Sequence, residues 1–367
     1  MTRTATDWPR KHEGTKQTED DFVFSWFRGY ARLMGPSLAL LCFITAVARP
    51  EGRALRAQQD RAPLSVVATI AGPADLVQVH GRFAYVTAGP LLRVVDVSDP
   101  SIPKQVGGFT FPAKIWAFTV SGSLVYAAVG WSGLVVLDLS DPVAPRLRGS
   151  FKTLGEAWGV AFTGGKAIVA NQMSGVDVLD VTNPDTPVLV GNYFTEGYAR
   201  DVATWGALAY VIDQPTGFSV LDVSKRGPPA EVSSQQSAGS PMVIAVAQPS
   251  GDGAPKIACV VGAGRSPQAG WLQVYDVSDP RAPVKAAAFK TPGRAVRVAV
   301  QGNTAYVADA FGLQVVDLSS PTTPSLAHSY QTVGPARDVA VAGPFVYVVA
   351  GEAGREGAGV VILRRDP

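Results

Sequence analysis

Residues 136–151 read VLDLSDPVAPRLRGSF, and close copies stand at 94–109 (VVDVSDPSIPKQVGGF), 178–193 (VLDVTNPDTPVLVGNY), 274–289 (VYDVSDPRAPVKAAAF) and 315–330 (VVDLSSPTTPSLAHSY). In each copy an apolar run ends at a turn rich in Ser, Asp and Pro, and a looser run begins after it. The Asp or Asn before the first proline can accept hydrogen bonds from the turn backbone. Each proline fixes φ near −65° and stops the strand. Aligned on their first aspartate, the turns place Asp96, Asp138, Asp180, Asp222, Asp276 and Asp317 at spacings of 42, 42, 42, 54 and 41 residues.

A period near 42 suits propeller blades and some helical arrays, so the local pattern decides between them. Each period holds three apolar runs such as RDVAVAG (337–343), FVYVVAG (345–351) and LQVVDLS (313–319), then a looser fourth such as PSLAHSY (324–330). The runs are short and bounded by Gly, Ser, Asn or Pro, and none is long enough for a 3.6-periodic helix. Four short strands per period predict four-stranded blades, and hence an all-β propeller. The second proline recurs in all six turns, at Pro103, Pro145, Pro187, Pro229, Pro283 and Pro324. It falls at the start of the outermost strand, an edge where proline is tolerated and discourages pairing with other molecules.

The stretches LVVLDLSDP (134–142) and LQVVDLSSP (313–321) resemble the LVIVD repeat, a bacterial family of propeller-forming repeats often found in exported or surface proteins. The resemblance covers roughly residues 64–364. It implies architecture and carries no catalytic set, and it places a ligand at the rim formed by the loops between second and third strands together with those that lead into the inner strands. Two departures stand out: the fourth turn reads DVSKRGPP (222–229), and the fifth repeat is longer by 12 residues.

The inner strand recurs around Val77, Phe118, Val160, Val202, Ile244, Val298 and Val339, which predicts seven blades. The last unit stops after a third strand, GVVILRR (359–365), while LSVVATI (64–70) stands alone ahead of the first inner strand. The N-terminal strand is therefore expected to complete the last blade and close the ring over residues 64–367.

Ahead of the repeats, residues 1–32 form a polar leader of mixed charge whose first twenty residues read as disordered. Arg28 and Arg32 precede an apolar run over 33–48 that ends in Ala46, Val47 and Ala48, the layout of a secretory signal or an uncleaved signal anchor. Residues 49–63 read as a linker. Export to the periplasm, cell surface or medium is the expectation, with membrane contact only through this segment if it stays uncleaved. Cys42 lies within the run and Cys259 in KIACVV, a buried second strand, so the repeats hold no disulfide framework. Lys+Arg 32 against Asp+Glu 30 gives a net charge of +2 without a basic stripe, which removes an electrostatic case for nucleic acid.

His80 in a hairpin and His328 in an outer strand fall on different blades, too far apart for a metal site or a triad. The repeated aspartates are spread one per blade, whereas a hard cation wants several oxygens at one point. They read as turn caps. GAGRSPQAG (262–270) and GEAGREGAG (351–359) precede no helix and lack the Lys-Ser/Thr of a phosphate loop. No cofactor, metal or catalytic residue is assigned.

One register position, the lead-in to each inner strand, varies from blade to blade: Asp75, Trp116, Trp158, Arg200, Met242, Val296 and Arg337. Trp116, Trp158 and Arg200 fall on consecutive blades, and ring closure brings Arg337 beside Asp75. Nearby loops add Lys114, Trp131, Glu156, Tyr198, Asp213 and Arg355. Aromatic and Arg groups converging on a concavity suit a protein or glycan ligand. The candidate binding set is therefore Trp116, Trp158, Arg200, Arg337, Asp75, Trp131 and Tyr198, unless the tryptophans plug the channel and the charges pair. The leading reading is an exported, monomeric, non-enzymatic binding module. The alternatives are a lyase or hydrolase working at the rim, for which Glu156 with Tyr198 or Arg200 is the one suitable set, and a purely structural surface domain.

Overall fold

The computed structural model describes residues 64–237, 239–247, 257–264, 270–351 and 358–365. The expectations for the leader, the apolar run and the linker fall on residues 1–63, outside those described, as do the centres of the two Gly-rich loops and Arg355. The described chain forms seven antiparallel sheets of four strands, each built from consecutive strands except the last. The strands are lettered a to d outward from a central channel. Blade 1 comprises Leu76–His80, Phe83–Ala88, Leu91–Asp96 and Lys104–Thr110. The inner a strands of blades 2 to 7 are Ala117–Ser121, Gly159–Thr163, Tyr198–Trp205, Ser240–Ala247, Ala295–Gln301 and Ala336–Ala342.

The burial pattern explains why the middle strands read as unbroken apolar runs. Phe83–Ala88 and Leu91–Asp96 each bury four consecutive residues, because a neighbouring blade covers each face of the sheet. The d strands are exposed or half-buried over most of their length, as in Lys104–Thr110, which suits an outer edge. The described core divides into seven clusters, each shared by two adjacent blades. Tyr85 and Leu92 of blade 1, for example, meet Phe118 and Leu137 of blade 2. Cys259 pairs with Ala245 as Tyr210 pairs with Ala203, so it occupies a register held by tyrosine in most blades. Its burial pushes the thiol up to about 12, which keeps it protonated at neutral pH.

Ring closure takes the expected form. Leu64–Ala71 pairs antiparallel with Gly359–Arg365, Leu64 opposite Arg365 and Ala71 opposite Gly359. Arg93 of blade 1 holds the strand's exit, donating from Nη1 to Ala71 O at 2.7 Å and from Nη2 to Pro73 O at 2.9 Å. Val66 is 55% exposed, and the strand anchors through Leu64 and Ile70, because a bulge between Val66 and Ala68 resets the alternation.

The recurring turn has a double role. Within a blade, the first aspartate caps the residue two positions on: Asp96, Asp138, Asp180, Asp222, Asp276 and Asp317 accept from Ser98, Ser140, Thr182, Ser224, Ser278 and Ser319 N–H respectively. These hydrogen bonds, first from Ser98 and then from Arg82, hold the Asp96 carboxyl at about 2. The second Asp or Asn forms another such turn at Asp99, Asp141, Asn183 and Asp279. Between blades, the turn seats on the d strand of the preceding blade. A Cβ on Gly149 would lie 2.4 Å from Pro184 O of the next blade, and Gly107 and Gly191 stand equally close to the turns that follow them. Arg148 Nε adds an ion pair to Asp185 at 2.6 Å. In the departing fourth turn Lys225 replaces the second Asp. There Lys166 Nζ, from blade 3, donates to Ser224 O at 3.0 Å and Lys225 O at 3.1 Å, holding from outside what the Asp holds from within.

Candidate functional site

The lead-in residues sit where the ladder allows their side chains to depart from the repeat. In blades 4 to 7 the a–b register shifts between Ala199 and Asp201, Pro241 and Val243, Ala295 and Arg297, and Ala336 and Asp338. Arg200, Met242, Val296 and Arg337 are thus the extra residues of four bulges, a device that re-aims a side chain. In blades 1 to 3 the equivalent residues lie just ahead of the strand, tied to strand b only through their N–H, as in Trp116 N to Ala128 O at 2.9 Å.

These side chains converge on the mouth of the channel. Trp116 and Trp158 stack with centroids 4.8 Å apart and planes 11° from parallel. Lys114 Nζ lies 4.4 Å from the Trp116 ring and Arg200 Cζ 5.0 Å from the Trp158 ring, so a cation covers each outer face. Across the mouth Arg337 Nη1 reaches Asp75 Oδ1 at 3.5 Å, while Asp75 Oδ2 accepts from Gly89 N–H at 2.8 Å. The mouth encloses about 250 Å³, and all five of Asp75, Trp116, Trp158, Arg200 and Arg337 line it. Tyr198 lines an adjoining depression of about 250 Å³ with Trp158, Arg200 and Gln214. Trp131, 70% exposed, stands in the b–c turn of blade 2 on the same face and lines neither.

Below the mouth the channel holds about 440 Å³, lined by the a strands. Three charges in it escaped the sequence reading: Asp201, Arg297 and Asp338. Each follows a lead-in residue by one position, where the other blades have Leu76, Ala117, Gly159 and Val243. A charge inside an otherwise apolar inner strand was the available signal, repeated as Arg-Asp-Val at 200–202 and 337–339. Asp338 Oδ2 accepts Val77 N–H at 2.8 Å and Asp201 Oδ2 accepts Ile244 N–H at 3.0 Å, so each carboxylate stitches its blade to the next. Arg297 Nε lies 3.6 Å from Asp338 Oδ1. Burial outweighs that cation and raises Asp338 to about 6; Asp201 is raised for the same reason.

Of the set considered for catalysis, Tyr198 and Arg200 line the adjoining depression together with Gln172. Glu156 Oε2 accepts from Gln172 Nε2 at 3.0 Å, and among the described residues no hydrogen bond or ion pair joins it to Tyr198 or Arg200. No three described His, Cys, Asp or Glu residues are grouped to hold a metal ion. His80 ends the first a strand in an exposed position, and His328 is half-buried in the d strand of blade 6.

The family model of the LVIVD repeat matches residues 71–110, 114–153, 154–195, 196–236, 292–332 and 333–354. The stretch it passes over, 237–291, is the long fifth repeat, which nevertheless folds as a four-stranded blade. No curated protein matches the sequence. Among solved structures, the chain is similar to U3-55K (11% identity, TM-score 0.66, covering 82% of this chain and 98% of that one). It is likewise similar to the RRP9 WD40 repeats (10%, 0.66, 82% and 97%) and to the Myceliophteria thermophila Cps50 (Swd1) β-propeller domain (12%, 0.65, 82% and 99%). At these identities the likeness shows the propeller fold alone. The repeat match over most of the chain, with seven blades of the pattern those repeats specify, makes this chain a member of the LVIVD repeat family.

Proposed function

We propose that the chain is an exported binding module that takes a protein partner on the face surrounding the channel mouth, centred on blades 2 to 4. One observation carries the reading. Trp131, Leu154, Met173, Phe194 and Tyr198 are all exposed; the first four stand in b–c turns or d–a connections of these three blades and Tyr198 opens the inner strand of blade 4, around the Lys114–Trp116–Trp158–Arg200 stack. Large apolar side chains clustered on one face of a monomer mark an interaction surface, and aromatic residues and Arg are those most enriched in binding hot spots. A glycan is the weaker fit. A sugar stacks on an open aromatic face, whereas Trp116 and Trp158 cover one another on one side and are capped by cations on the other.

The test compares affinity capture from the organism's surface extract by the parent protein and by Trp131→Ser, Phe194→Ser and Ile102→Ser. Ile102 is as exposed as the first two but lies in the c–d turn at the opposite end of blade 1. The proposal requires a partner identified with the parent, retained by Ile102→Ser and lost by the other two. Retention by all three refutes the docking face. Export is checked separately: N-terminal sequencing of exported protein should start near Arg49, and intact Met1 in a membrane fraction would instead support the anchor.

A further inference from the structure

We propose that the channel mouth receives an acidic segment of the protein partner, a carboxylate of which is bound by Arg200 with Lys114 and Arg294 near it. The inference rests on the docking face proposed above and names the chemistry it recognises. Four cations, Lys114, Arg200, Arg297 and Arg337, line the mouth, against one carboxylate, Asp75. Arg337 is matched by Asp75 and Arg297 by Asp338. That leaves Lys114 and Arg200, with Arg294 at the margin, where it donates to Met242 Sδ at 3.5 Å. No described carboxylate stands within ion-pair distance of these three. The whole chain carries only +2, so the excess is local.

Arg200 is held ready rather than satisfied. Gln214 donates from Nε2 to Ser240 Oγ and to Pro241 O, which fixes its amide, and its Oε1 accepts from Arg200 Nη1 at 3.2 Å. The Trp158 ring lies against the guanidinium. A guanidinium with other donors free, fixed in place at a concave mouth, is pre-organised for a carboxylate. Burial first, then the nearby Arg297 charge, lowers its pKa, and the Asp201 carboxylate below the mouth offsets this only in part. The apolar arc would bind the partner's flank while the mouth takes its charge.

The test titrates the full-length protein at low salt with three probes: a synthetic Asp/Glu-rich peptide, the same peptide with every carboxylate replaced by its amide, and inorganic phosphate. The acidic peptide should bind at least about tenfold more tightly than its amide counterpart and than phosphate. Arg200→Gln should weaken it about tenfold at unchanged melting temperature, the loss of one charge-assisted pair. Arg294→Gln, on an exposed side chain, serves if Arg200→Gln fails to fold, and should weaken binding in the same direction. Failure of the acidic peptide to bind, equal binding of the amide peptide, tighter binding of phosphate, or insensitivity of a folded variant each overturns the proposal. If partner capture still depends on Trp131 and Phe194 when these results are negative, the docking face stands and the acidic mouth alone falls.

Discussion

Removing the closing strand tests the architecture most directly. A chain cut to begin at Gly72 loses Leu64–Ala71, and with it Leu64 and Ile70, the two side chains of that strand buried against blades 6, 7 and 1. Each is worth about 1.5–3 kcal/mol, or about 3–6 kcal/mol together. The cut also removes Ala71 O, one of the two acceptors of the buried Arg93 guanidinium, leaving donors unmatched at a cost of about 1–3 kcal/mol. The sum, about 4–9 kcal/mol, is comparable to the whole stability of an ordinary domain. At about 2 °C per kcal/mol for a chain of this size, melting should fall by roughly 8–18 °C. Calorimetry of chains beginning at Pro63 and at Gly72 measures the difference, and a synthetic peptide of residues 64–71 should restore part of it. A Gly72 chain that melts within about two degrees of its parent would refute closure through this strand.

Three further outcomes follow from the packing. Gly149→Ala should cost about 1–3 kcal/mol in urea denaturation, since its Cβ would sit 2.4 Å from Pro184 O; an unchanged midpoint would mean that the turn does not seat on the strand. Asp338, raised to about 6 from an unfolded value near 4, binds its proton more tightly in the folded state. Its contribution is therefore fully favourable below about pH 4 and is lost as pH rises through 6, by up to about 3 kcal/mol; the melting difference between parent and Asp338→Asn should vary across that window, and a flat difference sinks the assignment. Trp116→Ala and Trp158→Ala should each destabilise by about 1–3 kcal/mol, with a coupling of roughly 1 kcal/mol in the double-mutant cycle, because each ring is the other's contact; strict additivity would refute the stack.

The repeat alone makes the architecture legible. The turn fixes where each third strand ends, the spacing counts the blades, and an unpaired strand at each end of the chain implies closure. Even the fifth blade, which the family model passes over, was visible from its turn at Asp276 and its inner strand at Ile244. What could not be read is what depends on residues meeting across the ring. Asp338 accepts from Val77, 261 positions away, and only closure makes them neighbours. Gly149 looks like any strand glycine until the next blade's turn is laid on it. At the mouth, the register showed Trp116, Trp158 and Arg200 on consecutive blades, while the order of their stacking, and Lys114 as its other end, follows from side-chain geometry that no spacing encodes.

The same comparison locates where this fold can vary. The turn residues face the preceding blade, so a change there disturbs a contact between two sheets, and the turns other than the fourth stay nearly alike. The lead-in residues line the channel mouth, although Met242 and Val296 also pack into the core between blades. In blades 4 to 7 they sit on bulges, and in blades 1 to 3 ahead of the strand, so each is outside the regular a–b pairing and can change without altering the ladder. Val296 and Trp158 hold the same register position, Val296 on a bulge of blade 6 and Trp158 just ahead of the inner strand of blade 3. On neighbouring blades that position is filled by two tryptophans and an arginine arranged in one stack, the feature around which the proposed docking face is centred. The arginine in that stack has no carboxylate within ion-pair distance among the described residues, which directs the search toward a partner that brings one.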